Sequence, residues 1–315
     1  MVPRRPLIWI LATCLVLTSC RSFDSASPTP EPVSATLPAP EPSPVPKTST
    51  PAPEYVAKLR NADYQLGLSD SLQTVKLTDG RFEQGAPGGT DYISVAMTDF
   101  IARGSFDGSG DEEYAALVSE NYGGTGSFMF LVVYVDVNGT PRFMTSRIVD
   151  DRPQINELSA PAANEIFLDA VIHSSQDPMC CPTLRTTRHY RVDGLGSLIM
   201  TDYTTFTPAE EPRTINIQSP ANHAEVFRSV LIRGEVAIAP FENNLVYRIF
   251  DVGGVELAVG SITVTASEPG GPGTFDQTIS LGNILSGAAI RIEVQDVNAE
   301  DGSLFAMDSV DLVVK

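Results

Sequence analysis

The sequence predicts an all-β protein, and three observations predict it. Short runs of alternating or continuous apolar residues recur along most of the chain. Turn dipeptides such as Asp79-Gly80, Asn138-Gly139 and Asp193-Gly194 separate them. Only one folded stretch, Tyr55 to Leu66, carries a helical pattern. Many short strands with few helices argue for antiparallel sheets. The expected architecture is an antiparallel N-terminal β domain followed by a second, sandwich-like β domain.

The chain opens on MVPRRPLIWILATCLVLTSC. Arg4 and Arg5 precede an apolar run from Leu7 to Leu17 that is too short to span a bilayer and reads as the core of a signal peptide. Residues 1–19 are therefore read as a signal. Residues 21–53 contain ten prolines among mostly Ser, Thr, Ala and Glu. Such a composition cannot bury a core and favours polyproline II. At about 3.1 Å per residue it reaches roughly 100 Å. Residues 20–54 are thus expected to form a stalk that lifts the folded part off a surface; a docking segment for a proline-reading partner is the alternative.

The N-terminal β domain is assigned to residues 55–207. SLQTVKLTDGRFEQG reads as a hairpin about Asp79-Gly80. In YISVAMTDFIARG, Ile93, Val95 and Met97 share one face. EYAALVSEN follows, and SFMFLVVYVDVNG is long and apolar enough for a central strand. RFMTSRIVDD, NEIFLDAVIHSS, RTTRHYRVDG and SLIMTDYTTF continue the series. A boundary falls in TPAEEPRT, residues 207–214. About seven strand-like runs then fill residues 213–315, the count and length of an immunoglobulin-like sandwich. It lacks the two cysteines of an antibody domain, so apolar packing alone must hold it.

Three resemblances add to this reading. Leu17-Thr18-Ser19-Cys20 resembles the bacterial lipobox, in which the Cys receives a diacylglyceryl group and becomes the mature N-terminus. Cys20 would then be the lipidation site, and the protein would be extracytoplasmic, held to the bacterial cell membrane by lipid; a cleaved signal with a chance cysteine is the alternative. The C-terminal region resembles the bacterial spore-germination immunoglobulin-like domain, often found beside the GerM type of germination protein. The residues that carry it are Ile217 to Pro220, Val226 through Gly234-Glu235-Val236, Phe241-Glu242, Tyr247 to Ile249, Asp251, Gly271 to Phe275, Val294 to Asp296 and Asp301 to Ser303. The resemblance implies an extracytoplasmic β-sandwich with an adhesive or assembly role, with no functional residues to carry over. Phe241, Phe250 and Phe275 are expected to anchor its core. The segment Asp177-Pro178-Met179-Cys180-Cys181-Pro182 resembles a D-P-x-C-C-P motif of uncharacterised bacterial lipoproteins, which brings no assigned activity.

Charge narrows the partners. Against 39 acidic residues stand 21 basic ones, for a net charge of −18. Phosphates of nucleic acid and anionic lipid repel such a surface, so no nucleic-acid partner is expected and only acyl chains would hold the protein at a membrane. An envelope protein or cell-wall component is the expected partner. The single tryptophan, Trp9, lies in the signal, which weakens an aromatic carbohydrate platform.

Two clusters carry chemistry. Asp107, Ser109, Asp111 and Glu113 place oxygens at alternating positions among glycines, a pattern suited to a hard cation such as calcium. The segment looks like a single degraded FG-GAP repeat. Ser109 replaces one carboxylate, Glu112 stands where Gly belongs, and Val118 occupies the place of an EF-hand's bidentate Glu. An acidic turn between strands is the plainer reading, with no cofactor. Cys180 and Cys181 are adjacent, with Cα atoms about 3.8 Å apart across a trans peptide, closer than the usual 4.4–6.8 Å of a bridge. Three states compete: a vicinal disulfide fixing a turn, favoured by export; two reduced, buried thiols; or a soft-metal or redox site completed by His173 and His189. G-x-S-x-G, H-E-x-x-H, P-loop and G-x-G-x-x-G signatures are absent from the sequence. The sequence therefore predicts a lipid-anchored, non-catalytic binding or envelope-assembly protein. Its alternatives are a metal-handling or redox lipoprotein using Cys180 and Cys181, or a hydrolase on the N-terminal domain.

Overall fold

A computed structural model of the chain describes residues 51–68 and 73–315. The signal, Cys20 and the stalk as far as residue 50 lie outside the described residues. Helix α1 (Pro53–Leu59) opens the fold. Pro53 sits in the first turn, where its missing N–H costs nothing, and Glu54 and Lys58 suit the two ends of the helix dipole. The helix stops well before the expected Leu66. The Asn61 and Ala62 amides donate three residues back, to Lys58 and Leu59, and the Asn61 side chain takes the Ala57 carbonyl (2.8 Å). The chain then enters β1 (Asp63–Gln65), antiparallel to β2 (Thr74–Lys76), and Tyr64 is fully buried.

Asp79 (φ 49°) and Gly80 (φ 79°) both adopt positive φ, as a two-residue type I′ turn requires. Thr78 and Arg81 exchange hydrogen bonds of 2.8 and 3.0 Å across it. The expected hairpin goes no further. Strand β2 stays with β1, whereas β3 (Arg81–Gln84) leaves to pair with β4 (Ile93–Gly104). The turn is local chemistry, but partner choice belongs to the cores beneath.

Strands β5 (Glu113–Asn121), β6 (Phe128–Val137) and β7 (Thr140–Asp151) complete a five-stranded antiparallel sheet in the order β3-β4-β5-β6-β7. This sheet is buried on both sides. One face sends Tyr114, Ala116, Val118, Phe130, Val132 and Tyr134 against Tyr55, Leu59 and Tyr64. The other sends Ala115, Leu117, Leu131 and Val133 against Leu158, Ile166, Leu168 and Tyr190. Two-sided burial is why β5 and β6 read as near-continuous apolar runs. The layer on the second face consists of β8 (Gln154–Ser159), β9 (Ile166–Ile172), β10 (Leu184–Val192) and β11 (Leu198–Phe206), joined in that order.

A two-residue strand, β12 (Pro212–Arg213), lies on β11 and leads into the C-terminal half. There β13 (Ile215–Ser219), β14 (Ala224–Val226), β15 (Ser229–Val236), β16 (Asn244–Asp251), β17 (Glu256–Ala266), β18 (Gly273–Ser280), β19 (Ala289–Val297) and β20 (Leu304–Val314) form two facing sheets. One sheet runs β13-β15-β18 and ends on Val264 to Ala266 of β17. The other begins with the first part of β17 and runs β16-β19-β20, with β14 parallel to the end of β20. Ile232, Leu245, Ile249, Ile262, Phe275, Ile292 and Val294 fill the space between them. The expected sandwich is present and packed by apolar side chains. One anchor expectation is overturned. Phe241 is 83% exposed, because it stands in a short 3-10 turn (Phe241–Asn243) at the end of the sandwich. Phe250 is only half-buried, and Phe275 alone of the three is in the core.

The two halves share one sheet. Strand β11 of the first pairs with β20 of the second through Asp202↔Asp308, Tyr203↔Met307 and Thr204↔Ala306. Among the described residues no helix is long and apolar enough to cross a membrane.

Candidate functional site

The seam between the halves carries a group of four titratable side chains. Direct cross-strand partners point to the same face of a sheet. His189 on β10 stands opposite Asp202 on β11, and Asp202 stands opposite Asp308 on β20. These three groups therefore form a row across three neighbouring strands. Glu165, just before β9, closes one end through a hydrogen bond shared with His189 Nδ1. The row lines a groove of about 680 Å³, together with Thr187, Thr201 and Thr204 and the connecting segment from Pro212 to Asn216.

The two aspartates are held differently. Asp308 accepts from the amides of Ile217 (2.7 Å) and Ser309 (2.7 Å), one on each carboxylate oxygen. Burial raises its pKa, while these amides and His189 pull it back. Burial pushes Asp202 up to about 7; His189 opposes the shift, and Asp308 and Glu165 add to it. The chemistry available is proton uptake near neutral pH beside a polar groove rich in hydroxyls.

The structure places the sequence-derived candidates elsewhere. In the acidic loop, Glu113 is fully buried. One of its oxygens accepts from the amides of Phe106 and Asp107, and the other, Oε1, has no partner. Burial raises its pKa against the pull of those amides, and Asp107 and Asp111 raise it further. Asp107 accepts from the Ser109 amide (2.8 Å), and Ser109 Oγ accepts from the Asp111 amide (3.0 Å). These side chains serve the backbone of their own turn. Among the described residues, no three His, Cys, Asp or Glu side chains are grouped to hold a metal ion.

Cys180 and Cys181 are joined as a vicinal bridge with Cα atoms 3.7 Å apart, and both residues are exposed. The loop that carries them stands in solvent between β9 and β10. Asp177 organises it, accepting from the amides of Ser174 (2.9 Å) and Thr183 (2.8 Å) and from the Thr183 hydroxyl (2.8 Å). The Ser174 amide leads in holding its carboxyl down at about 2. His173 turns to Asp150 (Nδ1 to Oδ2, 3.0 Å) and His189 to Glu165, so each imidazole is engaged by a carboxylate. The seam row was missed by sequence reasoning. Its only signal is an aspartate inside an otherwise strand-like run, Asp202 in SLIMTDYTTF and Asp308, followed by Asp311, in LFAMDSVDL.

Residues 214–303 match the family described as the immunoglobulin-like domain of bacterial spore germination, Gmad2. The match covers the sandwich from the residue before β13 to the turn before β20, which is the segment whose sequence carried that resemblance. No curated protein matches the chain.

Proposed function

We propose that the protein is a non-catalytic binding or assembly module of the bacterial envelope, anchored by lipid on Cys20 and carried on the proline-rich stalk. The observation that supports this reading most directly is the match of residues 214–303 to an immunoglobulin-like domain family. Such a sandwich presents loops and strand edges on a rigid apolar core, which suits recognition. The signal-like residues 1–19 and the Leu17-Thr18-Ser19-Cys20 motif support an extracytoplasmic, membrane-held location. Two acyl chains on one cysteine give stable attachment where one chain does not. A net charge of −18 favours a partner that is neutral or basic.

The test is fractionation of cells expressing the wild-type chain or Cys20→Ala. The wild type is expected in the membrane pellet after a high-salt wash and the variant in the soluble extracytoplasmic or precursor fraction. An Ala variant that stays in the washed pellet would overturn the anchor. Pull-down with the anchored wild type then identifies the envelope partner.

One observation supports a second reading, thiol–disulfide exchange at Cys180 and Cys181. Both are exposed on a loop, where a dithiol reaches them directly. Intact mass spectrometry tests the bridge this reading needs: the purified chain should gain two hydrogens on mild reduction, and two free thiols before reductant would overturn the vicinal disulfide.

A further inference from the structure

The pairing that joins the halves is three residue pairs wide, and one of the three sets a carboxylate against a carboxylate, Asp202 against Asp308. Like charges directly opposite on paired strands destabilise the pairing, and partial burial strengthens the effect. Few other charges relieve it. The charged groups that face Asp202 are His189 from β10, Glu165 from the turn before β9 and Asp308 from β20. The segment above, Pro212 to Asn216, offers one cation, Arg213, but its guanidinium lies over the Phe305 ring and 3.9 Å from Asp296. His189 is already engaged by Glu165. Asp308 receives two backbone amides, which favour its charged form. The proton that lets the two aspartates coexist therefore resides on Asp202.

We infer that this seam is a proton-sensitive joint: with Asp202 protonated, β11 and β20 stay paired, and with Asp202 ionised the pairing loosens and the two halves gain freedom to move. The groove of about 680 Å³ gives water access to the row, so the proton exchanges with solvent.

The direction follows from the folded-state value of Asp202, raised from 3.8 to about 7. A carboxyl whose folded value is raised contributes its full stabilisation below the ordinary value near 3.8 and loses it as pH rises through about 7. The seam is thus tight in acid and loose in mild alkali. Each unit of such a shift is tenfold in the opening equilibrium.

Hydrogen exchange on the full-length chain in detergent tests this. Protection factors, corrected for the intrinsic pH dependence of exchange, are compared at pH 5 and pH 8 for amides of residues 202–204 and 306–308. The wild type is expected to lose protection there by about tenfold or more, with the cores of the two halves changing less. Asp202→Asn should keep acid-like protection at both pH values. Asp308→Asn, which removes the opposing charge, should reduce the loss and covers the case in which the first variant fails to fold. A wild-type seam whose protection changes less than twofold, or an Asp202→Asn seam that loosens as the wild type does, overturns the inference.

Discussion

At the residue scale, the buried polar groups of the N-terminal half divide by whether they are satisfied. Glu120 is 1% exposed and accepts from the hydroxyls of Tyr64 and Tyr122 (2.6 Å for Tyr122) and from the Gly67 amide (2.7 Å). Three donors from two regions of chain thus converge on one carboxylate and fix the start of the fold to β5. Removing the acceptor strands all three, and an unpaired buried donor costs about 1–3 kcal/mol. Glu120→Ala should therefore lower stability by about 3 kcal/mol. Glu120→Gln, which keeps one acceptor oxygen, should cost about 1 kcal/mol. Urea denaturation followed by tyrosine fluorescence measures both, and an Ala variant within about 0.5 kcal/mol of wild type would show that the network contributes nothing net. Little of this level was legible in the sequence. Glu120 looked like any acid near a strand end, and the spacing of Asp107 to Glu113 does not reveal that Glu113 turns inward to its own loop.

At the element scale, strand pattern carried most of the fold. Strands β4 to β7, β9 to β11 and the sandwich strands stand where alternating or continuous apolar runs place them. The failures have physical causes. Strand β8, QINELS, is too polar to announce itself and is a strand because β9 pairs with it. The run from Ala224 to Ile238 splits into β14 and β15 because Phe227, 70% exposed, and Arg228 turn the chain between sheets. Gly234 shows how tightly the first sandwich sheet is built. A Cβ there would lie 2.2 Å from the Asn216 carbonyl oxygen on β13 and 2.4 Å from Cζ of Phe275 on β18. Glycine is required by close approach from both neighbouring strands. Gly234→Ala must displace backbone or a core aromatic, at a cost of about 1–3 kcal/mol. For a fold of this size that is a fall of roughly 2–5 °C in melting temperature. Circular dichroism melts read it directly, and an unchanged midpoint would mean that β13 moves aside freely.

At the scale of the whole molecule, the continuous sheet decides how the halves behave. Composition changes near residues 207–214, yet composition cannot show that β11 and β20 pair across that segment, because Asp202 and Asp308 stand far apart in sequence. Contacts beyond the strand pairing reinforce the junction. Arg191 Nη2 donates to Asp311 (2.6 Å), Ser309 Oγ to the Thr201 carbonyl (2.8 Å) and Thr205 Oγ1 to the Phe305 carbonyl (2.7 Å). Each of these links an element of the first half to β20. An edge shared in this way is lost by both halves when either unfolds: β11 would expose the unpaired edge of its own sheet and β20 that of the sandwich. With Asp202 protonated, the halves should therefore melt together. Calorimetry at pH 5.5 is expected to give one transition with calorimetric and van't Hoff enthalpies in agreement. Gly234→Ala, placed on β15 of the sandwich and outside the β11–β20 pairing, should move that whole transition and not a part of it. Two resolved peaks, with the substitution shifting only one, would show that the shared sheet transmits no stability between the halves.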